Sequence, residues 1–255
     1  MTSLETHLRS LRDSGRKALV PYFVAGLTPD WVYYLEAAVH AGADAIEIGV
    51  PFSDPMMDGV VIQEAAMRSL QVGTNLDSIS ADLGALSTTV PLIAMTYFNV
   101  FHHYGIERAA GKLRESGISG AIVPDLPLEE GDEWFAACAT HDVATVLLVA
   151  PSTPADRVAA VTRVSKGFCY ASARMAVTGR ASDEGSGAKV VARIRAASDI
   201  PAYIGIGVST PEQARESSLA SDGVIVGSVL VQAILNGASP SEIEHMVRQF
   251  RHAID

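Results

Sequence analysis

Short, β-branched apolar runs alternate along this chain with segments of helical periodicity, and a turn separates each pair. This alternation is typical of βα units, in which crossover helices join parallel strands. Eight such runs suit a closed barrel, and a chain of 255 residues has the length of about 250 residues at which this fold forms one domain. We therefore predict an α/β protein, a (β/α)8 TIM barrel formed by residues 1–255 as a single domain. The predicted strands are residues 18–24, 45–49, 92–95, 120–123, 146–150, 168–170, 202–205 and 223–226.

The helix starts repeat one pattern, in which a hydroxyl residue is followed by proline and then by an early acid. A hydroxyl N-cap, proline at the first helical position and an acid in the first turn each favour a helix N-terminus. An extra helix is predicted before the first strand, because Leu4, Leu8 and Leu11 form an i, i+4, i+7 stripe. The predicted N-caps are Thr28, Thr153, Thr210 and Ser239.

The charge and the hydropathy pattern argue against nucleic-acid and membrane partners. The formal net charge is −10, which gives no attraction to phosphate backbones. The longest apolar run, residues 143–150, is too short to span a bilayer, and no secretory leader is apparent at the start. Cys138 and Cys169 are not spaced as metal ligands, so we interpret them as reduced core thiols. We expect a cytoplasmic protein without a bound metal.

Two carboxylates, Glu47 and Asp58, flank the end of the second predicted strand. Alternation along residues 43–49 puts Ile46 and Ile48 on one face and Glu47 on the other, inside the predicted barrel. Burial raises the pKa of a carboxyl group and can prepare it for proton transfer near neutral pH. Asp58 lies in the following loop and is expected to stay ionised. These two side chains are the candidate acid/base pair, although a loop aspartate can also simply cap a turn.

A phosphate site is predicted where the seventh and eighth strands end. Gly207 follows the seventh strand, and Gly227 and Ser228 follow the eighth at the start of a short apolar helix. In (β/α)8 barrels these two loops often bind phosphate through free backbone N–H groups and a helix N-terminus. The glycines alone would equally fit tight turns, and a dinucleotide fingerprint is rejected because Thr210 stands where its third glycine would be.

The connection after the sixth strand is long for a βα loop and runs from Tyr170 to Gly187. Long loops in compact domains are often lids over a site or mobile surface segments. Thr178 lies in this connection and could bond Asp58 on closure. We favour a lid, because the connection begins with the apolar strand end that carries Tyr170.

The chain contains six informative segments: GADAIEIGVPFSDPMMDG, MTYFNV, PDLPLEE, AVTG, GIGVSTPEQA and DGVIVGS. In this order and over almost the whole length, they resemble the tryptophan synthase alpha chain family. This resemblance implies a (β/α)8 barrel lyase that cleaves indole-3-glycerol phosphate by a retro-aldol reaction to indole and glyceraldehyde 3-phosphate, without a cofactor. It also implies a beta-chain partner in an α2β2 heterotetramer.

The resemblance also assigns roles to individual residues. Glu47 matches the general acid/base that acts on indole C3 and the glycerol hydroxyl, and Asp58 matches the carboxylate that accepts or stabilises the indole N–H proton. Tyr170 lines the site, and Thr178 matches the lid threonine that meets Asp58. The phosphate-binding positions correspond to Gly179, Gly207, Gly227 and Ser228.

The aromatic pocket is less constrained by the sequence. Residues at the predicted barrel mouth that could contact a flat indole ring, or equally belong to the core, are Tyr22, Ile62, Tyr97 and Phe101. The chain also departs from the family pattern in loops near the site, at Leu27, Val60, Val61 and Ala176. Three alternatives therefore stay open: a stand-alone lyase that releases indole without a beta chain, a weak subunit that mainly regulates a beta chain, and a different phosphosugar barrel.

Overall fold

A computed structural model describes residues 3–172, 186–205 and 207–255, and these form a closed parallel barrel. Neighbouring strands pair in chain order, and the eighth pairs with the first through registers such as Ala18 with Gly223. The predicted (β/α)8 fold is confirmed, with strand ends that shift by one or two residues; that residues 1–255 form one domain stays a prediction. The strands are β1 Ala18–Val24, β2 Ile46–Gly49, β3 Leu92–Met95, β4 Ile118–Ile122, β5 Ala144–Val149, β6 Cys169–Ala171, β7 Ala202–Ile204 and β8 Gly223–Val226.

Helices surround the barrel and bury their apolar faces against the outer side of the strands. None of the helices in the described ranges combines the length and apolar character needed to cross a bilayer. The helices are α1 Ser3–Asp13, α2 Trp31–His40, α3 Val60–Gln71, α4 Leu76–Leu83, α5 Phe98–Tyr104, α6 Ile106–Glu115, α7 Asp132–Thr140, α8 Ala155–Val164, α9 Ser186–Ala197, α10 Pro211–Ala220, α11 Ser228–Leu235 and α12 Pro240–Ile254, with a short 3-10 turn at Leu128–Glu130.

The predicted N-terminal helix, α1, closes one end of the barrel. Leu4 and Leu8 are fully buried and belong to the same apolar cluster as the inward side chains of the strands. A Cβ built on Gly120 would lie 2.6 Å from Leu4 Cδ2, and one on Gly167 would lie 3.0 Å from it. These two glycines therefore leave the space that Leu4 fills, and the opposite end of the barrel stays open for a site.

Two of the four predicted helix caps are confirmed and two are wrong. Thr210 and Ser239 each accept a bond from the backbone three residues on, in a reciprocal capping box. Thr153 instead accepts from the backbone N–H of Ala150, 2.9 Å away, and closes a turn before its helix begins. Thr28 likewise stands in a turn that precedes α2. At Thr28 and Thr153 the hydroxyl residue and the proline after it therefore belong to a turn that precedes the helix, and the hydroxyl residue is not the N-cap.

Candidate active site

A cavity opens where the strands end on the side away from α1. Most of the residues predicted for the site meet in it, from both the carboxylate end and the phosphate end. The residues that line it are Tyr22, Glu47, Asp58, Ile62, Met95, Tyr170, Gly205, Gly207, Val208, Ile225, Gly227 and Ser228.

Glu47 projects from the middle of β2 into this cavity. Only 1% of the residue is exposed, and its Oε2 atom has no hydrogen-bond partner among the described residues. Burial, followed by the nearby charge of Asp58, raises the pKa of Glu47 from 4.5 to about 8. The carboxyl group is therefore largely protonated at neutral pH and can act as a proton donor.

Asp58 approaches the cavity from the loop between β2 and α3. The hydroxyl of Tyr97 donates to Asp58 Oδ2 over 3.2 Å. Burial raises the pKa of Asp58 to about 6, and the bond from Tyr97 acts in the opposite direction. The pKa stays below that of Glu47, so Asp58 is the more readily ionised of the two carboxyl groups.

Tyr97 ties the Asp58 loop to the end of β3. Its hydroxyl accepts a bond from the backbone N–H of Met57 (2.9 Å) while it donates to Asp58. The Phe52 ring stacks on the Tyr97 ring with 5.2 Å between centroids. Tyr97 lines a smaller cavity that adjoins the first and shares Tyr22 and Asp58 with it. Tyr97 therefore contacts the Asp58 carboxylate directly and borders the smaller cavity, not the main one.

Two tyrosine rings border the cavity and rest on glycines of the neighbouring strands. A Cβ built on Gly205 would lie 2.0 Å from the Tyr170 hydroxyl, and one on Gly49 would lie 2.1 Å from the Tyr22 hydroxyl. Each tyrosine hydroxyl therefore occupies space that a side chain on the glycine would fill. The absence of side chains at the two glycines thus shapes the pocket.

The phosphate end consists of Gly207 and the N-terminus of α11. Gly207 has a φ of 93°, a conformation that favours glycine. Gly227 is the N-cap of α11, and no side-chain bond caps this helix among the described residues. The first N–H groups of a helix attract anions, so this end of the cavity suits a phosphate group.

The structure adds residues that the sequence argument missed and removes one that it suggested. Met95, Val208 and Ile225 line the cavity; Met95 could have been found from its inward alternation with Ile93 along β3. Phe101 does not reach the pocket, because it lies on α5 and stacks on Trp134 with 4.5 Å between centroids.

Three sequence predictions fall on residues that the structure does not describe. Thr178, Gly179 and Ala176 lie outside the described ranges. Of the other departures from the family pattern, Val60 is the first residue of α3 and Leu27 packs partly buried against the core. Among the residues described, no group of three or more His, Cys, Asp or Glu side chains could hold a metal ion.

The whole barrel matches proteins of one family. The family model described as tryptophan synthase alpha chain matches residues 8–254. The tryptophan synthase alpha chain of Picosynechococcus is 38% identical over 98% of this chain and 97% of its own length, and that of Solibacter usitatus is 39% identical over 98% and 96%. The structure of Mycobacterium tuberculosis tryptophan synthase superposes with a TM-score of 0.90 at 36% identity, and it covers 99% of this chain and 98% of that chain.

The chain belongs to the tryptophan synthase alpha chain family. It is an alpha subunit, a lyase of indole-3-glycerol phosphate. The alpha-chain match includes both cavity carboxylates and both phosphate loops, since residues 8–254 cover β1 to β8. A different phosphosugar barrel is thereby set aside.

Proposed function

We propose that Glu47 and Asp58 together carry out the retro-aldol cleavage of indole-3-glycerol phosphate in this cavity. The observation that carries the proposal is the buried Glu47 carboxyl group, which lines the cavity and whose Oε2 has no partner among the described residues. An unpaired buried carboxyl group is costly to keep. Such a cost is common at catalytic positions, where a perturbed pKa serves proton transfer.

The reaction needs one proton delivered and one removed, and Glu47 can do both in turn. The protonated Glu47 donates its proton to C3 of the indole ring, which leaves a positive charge shared with the ring nitrogen. The Glu47 carboxylate then removes the proton of the glycerol hydroxyl next to the ring. The oxygen electrons form the aldehyde carbonyl, the C–C bond breaks, and its electrons return to the ring to give indole. Glu47 ends protonated, so the cycle balances.

Asp58 is proposed to face the ring nitrogen during the first step. An ionised carboxylate at about hydrogen-bond distance stabilises the developing positive charge at N–H, more strongly in a water-poor site than in bulk solvent. Tyr97 holds this carboxylate in place through its 3.2 Å bond. Tyr22, Ile62 and Tyr170 are proposed to enclose the ring, because all three line the cavity.

The phosphate is proposed to bind at the other end of the cavity. Gly207, Gly227 and Ser228 offer backbone N–H groups and a helix N-terminus there. Gly179 is proposed as a further phosphate contact and Thr178 as the lid residue that meets Asp58. These two assignments rest on the family resemblance alone.

The test is indole formation from indole-3-glycerol phosphate by the purified chain, measured by absorbance. Glu47→Gln keeps the shape of the side chain and should lower kcat by about 10² to 10⁴, the usual contribution of a positioned acid/base group. Binding of glyceraldehyde 3-phosphate should stay within about twofold, because the phosphate end is unchanged. Asp54→Asn is the matched control, since Asp54 is an exposed carboxylate of the same region. Near-normal turnover by Glu47→Gln would rule out the assignment.

The partner is proposed to be a tryptophan synthase beta chain, in an α2β2 assembly in the cytoplasm. Exposed apolar side chains surround the Asp58 loop: Met56 and Val60 are each 78% exposed and Met57 is 43% exposed. A surface of this kind beside a catalytic loop suits a protein partner that influences the site. Because Asp58 belongs to the same loop, contact with the beta chain could change catalysis directly.

The partner test compares indole release with and without a purified beta chain. A dependent subunit should be accelerated at least tenfold, and Met56→Glu should remove the acceleration while Leu219→Glu, a change at another exposed apolar residue, should not. Equal rates with and without the beta chain would favour a stand-alone lyase. Binding without indole formation would favour a regulatory subunit.

A further inference from the structure

The end of β2 carries a glycine against which a cavity tyrosine is packed. A Cβ built on Gly49 would lie 2.1 Å from the Tyr22 hydroxyl oxygen, 2.6 Å from Cζ and 3.0 Å from Cε2. Contacts this short do not occur between real side chains, so any residue larger than glycine would displace the ring. The register explains the proximity, because Tyr22 on β1 pairs with Glu47 and Val24 pairs with Gly49.

Backbone strain does not explain the glycine at this position. Gly49 lies outside the group of glycines with positive φ, so its backbone is open to an L-residue. The space over Gly49 is therefore the feature that an alanine would remove. This separates Gly49 from Gly207, whose φ of 93° favours glycine on conformational grounds.

The base of the Tyr22 ring lies beside Gly227, with room for about one methyl group between them. A Cβ built on Gly227 would lie 3.4 Å from both Cβ and Cδ1 of Tyr22, which is ordinary contact distance. Tyr22 therefore extends from the phosphate end of the cavity, at Gly227, to the end of β2, at Gly49. The open space beside the Tyr22 ring consists of the two cavities that Tyr22 lines. A ring pushed off Gly49 would enter them.

We propose that Gly49 is a positioning residue that keeps the Tyr22 ring against the end of β2 and so leaves open the slot for the aromatic part of the substrate. The inference rests on the proposed function, because it assigns the indole ring to the space beside Tyr22. Gly49 itself contributes no group to the chemistry. Its effect is to fix the width of the slot between Tyr22 and the catalytic carboxylates.

The experiment compares Gly49→Ala, Tyr22→Ala and the double variant with the unaltered chain, with Gly111→Ala as the control glycine change. Gly111 lies on α6, where a Cβ would meet only the His141 ring at 3.3 Å. Five quantities are measured: KM and kcat for indole-3-glycerol phosphate, the Kd of indole, the Kd of glyceraldehyde 3-phosphate, and the unfolding temperature.

Gly49→Ala should raise the KM for indole-3-glycerol phosphate and the Kd of indole at least tenfold each. The Kd of glyceraldehyde 3-phosphate should stay within twofold. The double variant should regain at least fivefold in the Kd of indole over Gly49→Ala, because the displaced ring is gone. A merely structural glycine would not give this selective loss or this recovery. Gly111→Ala should match the unaltered chain in KM, kcat and both Kd values, and any shift of its unfolding temperature shows the effect of a glycine-to-alanine change inside a helix.

The proposal is overturned if Gly49→Ala binds indole normally, or if the double variant binds it no better than Gly49→Ala. If Gly49→Ala does not fold, a folded double variant supports the steric argument and an unfolded one refutes it. Failure of the proposed function shows separately, as an unaltered chain that forms no indole from indole-3-glycerol phosphate. The indole Kd values still decide the role of Gly49 in that case.

Discussion

Replacing Glu47 by glutamine should make the folded protein more stable, and the gain should increase as the pH rises. The glutamate is 1% exposed, and its Oε2 has no partner among the described residues. Its pKa is raised from 4.5 to about 8, first by burial and then by the charge of Asp58. Glutamine keeps the size of the side chain and removes the ionisation, so the comparison isolates the cost of placing a carboxylate in the cavity.

The sign and size of the effect follow from the two pKa values of Glu47. Between pH 4.5 and 8 the folded state holds a proton that the unfolded state has released, so the free energy of unfolding falls as the pH rises. At about 1.4 kcal/mol per pKa unit, this loss amounts to about 1 kcal/mol at pH 5, about 3 kcal/mol at pH 7 and about 4 kcal/mol at pH 8. A domain of this kind has a total stability of about 5 to 15 kcal/mol, so the effect is measurable.

The assay is urea denaturation of the unaltered chain and Glu47→Gln at pH 5 and pH 8. Any packing cost of the glutamine amide is the same at both pH values and cancels in the difference. The stability of Glu47→Gln relative to the unaltered chain should therefore increase by about 3 kcal/mol from pH 5 to pH 8, at equal m-values. Glu216→Gln, at an exposed position on α10, should change by less than about 0.5 kcal/mol. Parallel pH dependences for the unaltered chain and Glu47→Gln would refute the reasoning.

Three further predictions concern the rest of the cavity. Asp58→Asn should lower kcat by about 10² or more. It should also abolish the fall of kcat/KM as the pH drops through about 6, while Asp54→Asn should retain that fall. An Asp58→Asn profile identical to that of the unaltered chain would contradict this prediction. Tyr97→Phe removes the hydrogen-bond donor that lowers the pKa of Asp58, so the fall of kcat/KM at low pH should shift to higher pH. If the profile does not shift, this hydrogen bond does not influence the pKa of Asp58. Ser228→Asp places a negative charge at the N-terminus of α11 and should raise KM at least tenfold with a smaller effect on kcat, whereas an unchanged KM would place the phosphate elsewhere.

The barrel could be predicted from the sequence because its determinants are local. Each strand is a short apolar run, and an inward position such as Glu47 can be read from alternation within one strand. The two confirmed caps, Thr210 and Ser239, also depend only on residues within one turn. The same signal was wrong at Thr28 and Thr153, where the chain makes another turn before the helix starts. The path of the preceding loop decides at which residue the helix begins, and the short motif carries no information about that path.

The pocket walls could be predicted less well, because they depend on register between strands. Nothing in the sequence places the Tyr22 hydroxyl over Gly49, since this contact requires the observed alignment of β1 with β2. Phe101 follows β3 closely, so its position is compatible with the barrel mouth or with the core. In the structure it lies on α5 and stacks on Trp134. A position near a strand end therefore predicts proximity to the site but not the direction of the side chain.

The two carboxylates differ in pKa because their surroundings differ, and this difference gives each a separate task at one pH. Glu47 is on a strand, fully enclosed and without a donor to its Oε2 among the described residues, whereas Asp58 is on a loop and receives a hydrogen bond from Tyr97. The charge of Asp58 also opposes the ionisation of Glu47 and raises its pKa further. Between about pH 6 and pH 8 the cavity therefore holds one proton on Glu47 and one negative charge on Asp58. Protonation of a ring carbon together with stabilisation of the ring N–H requires one protonated and one ionised carboxyl group. If the two groups had identical surroundings, the proton would not reside preferentially on Glu47.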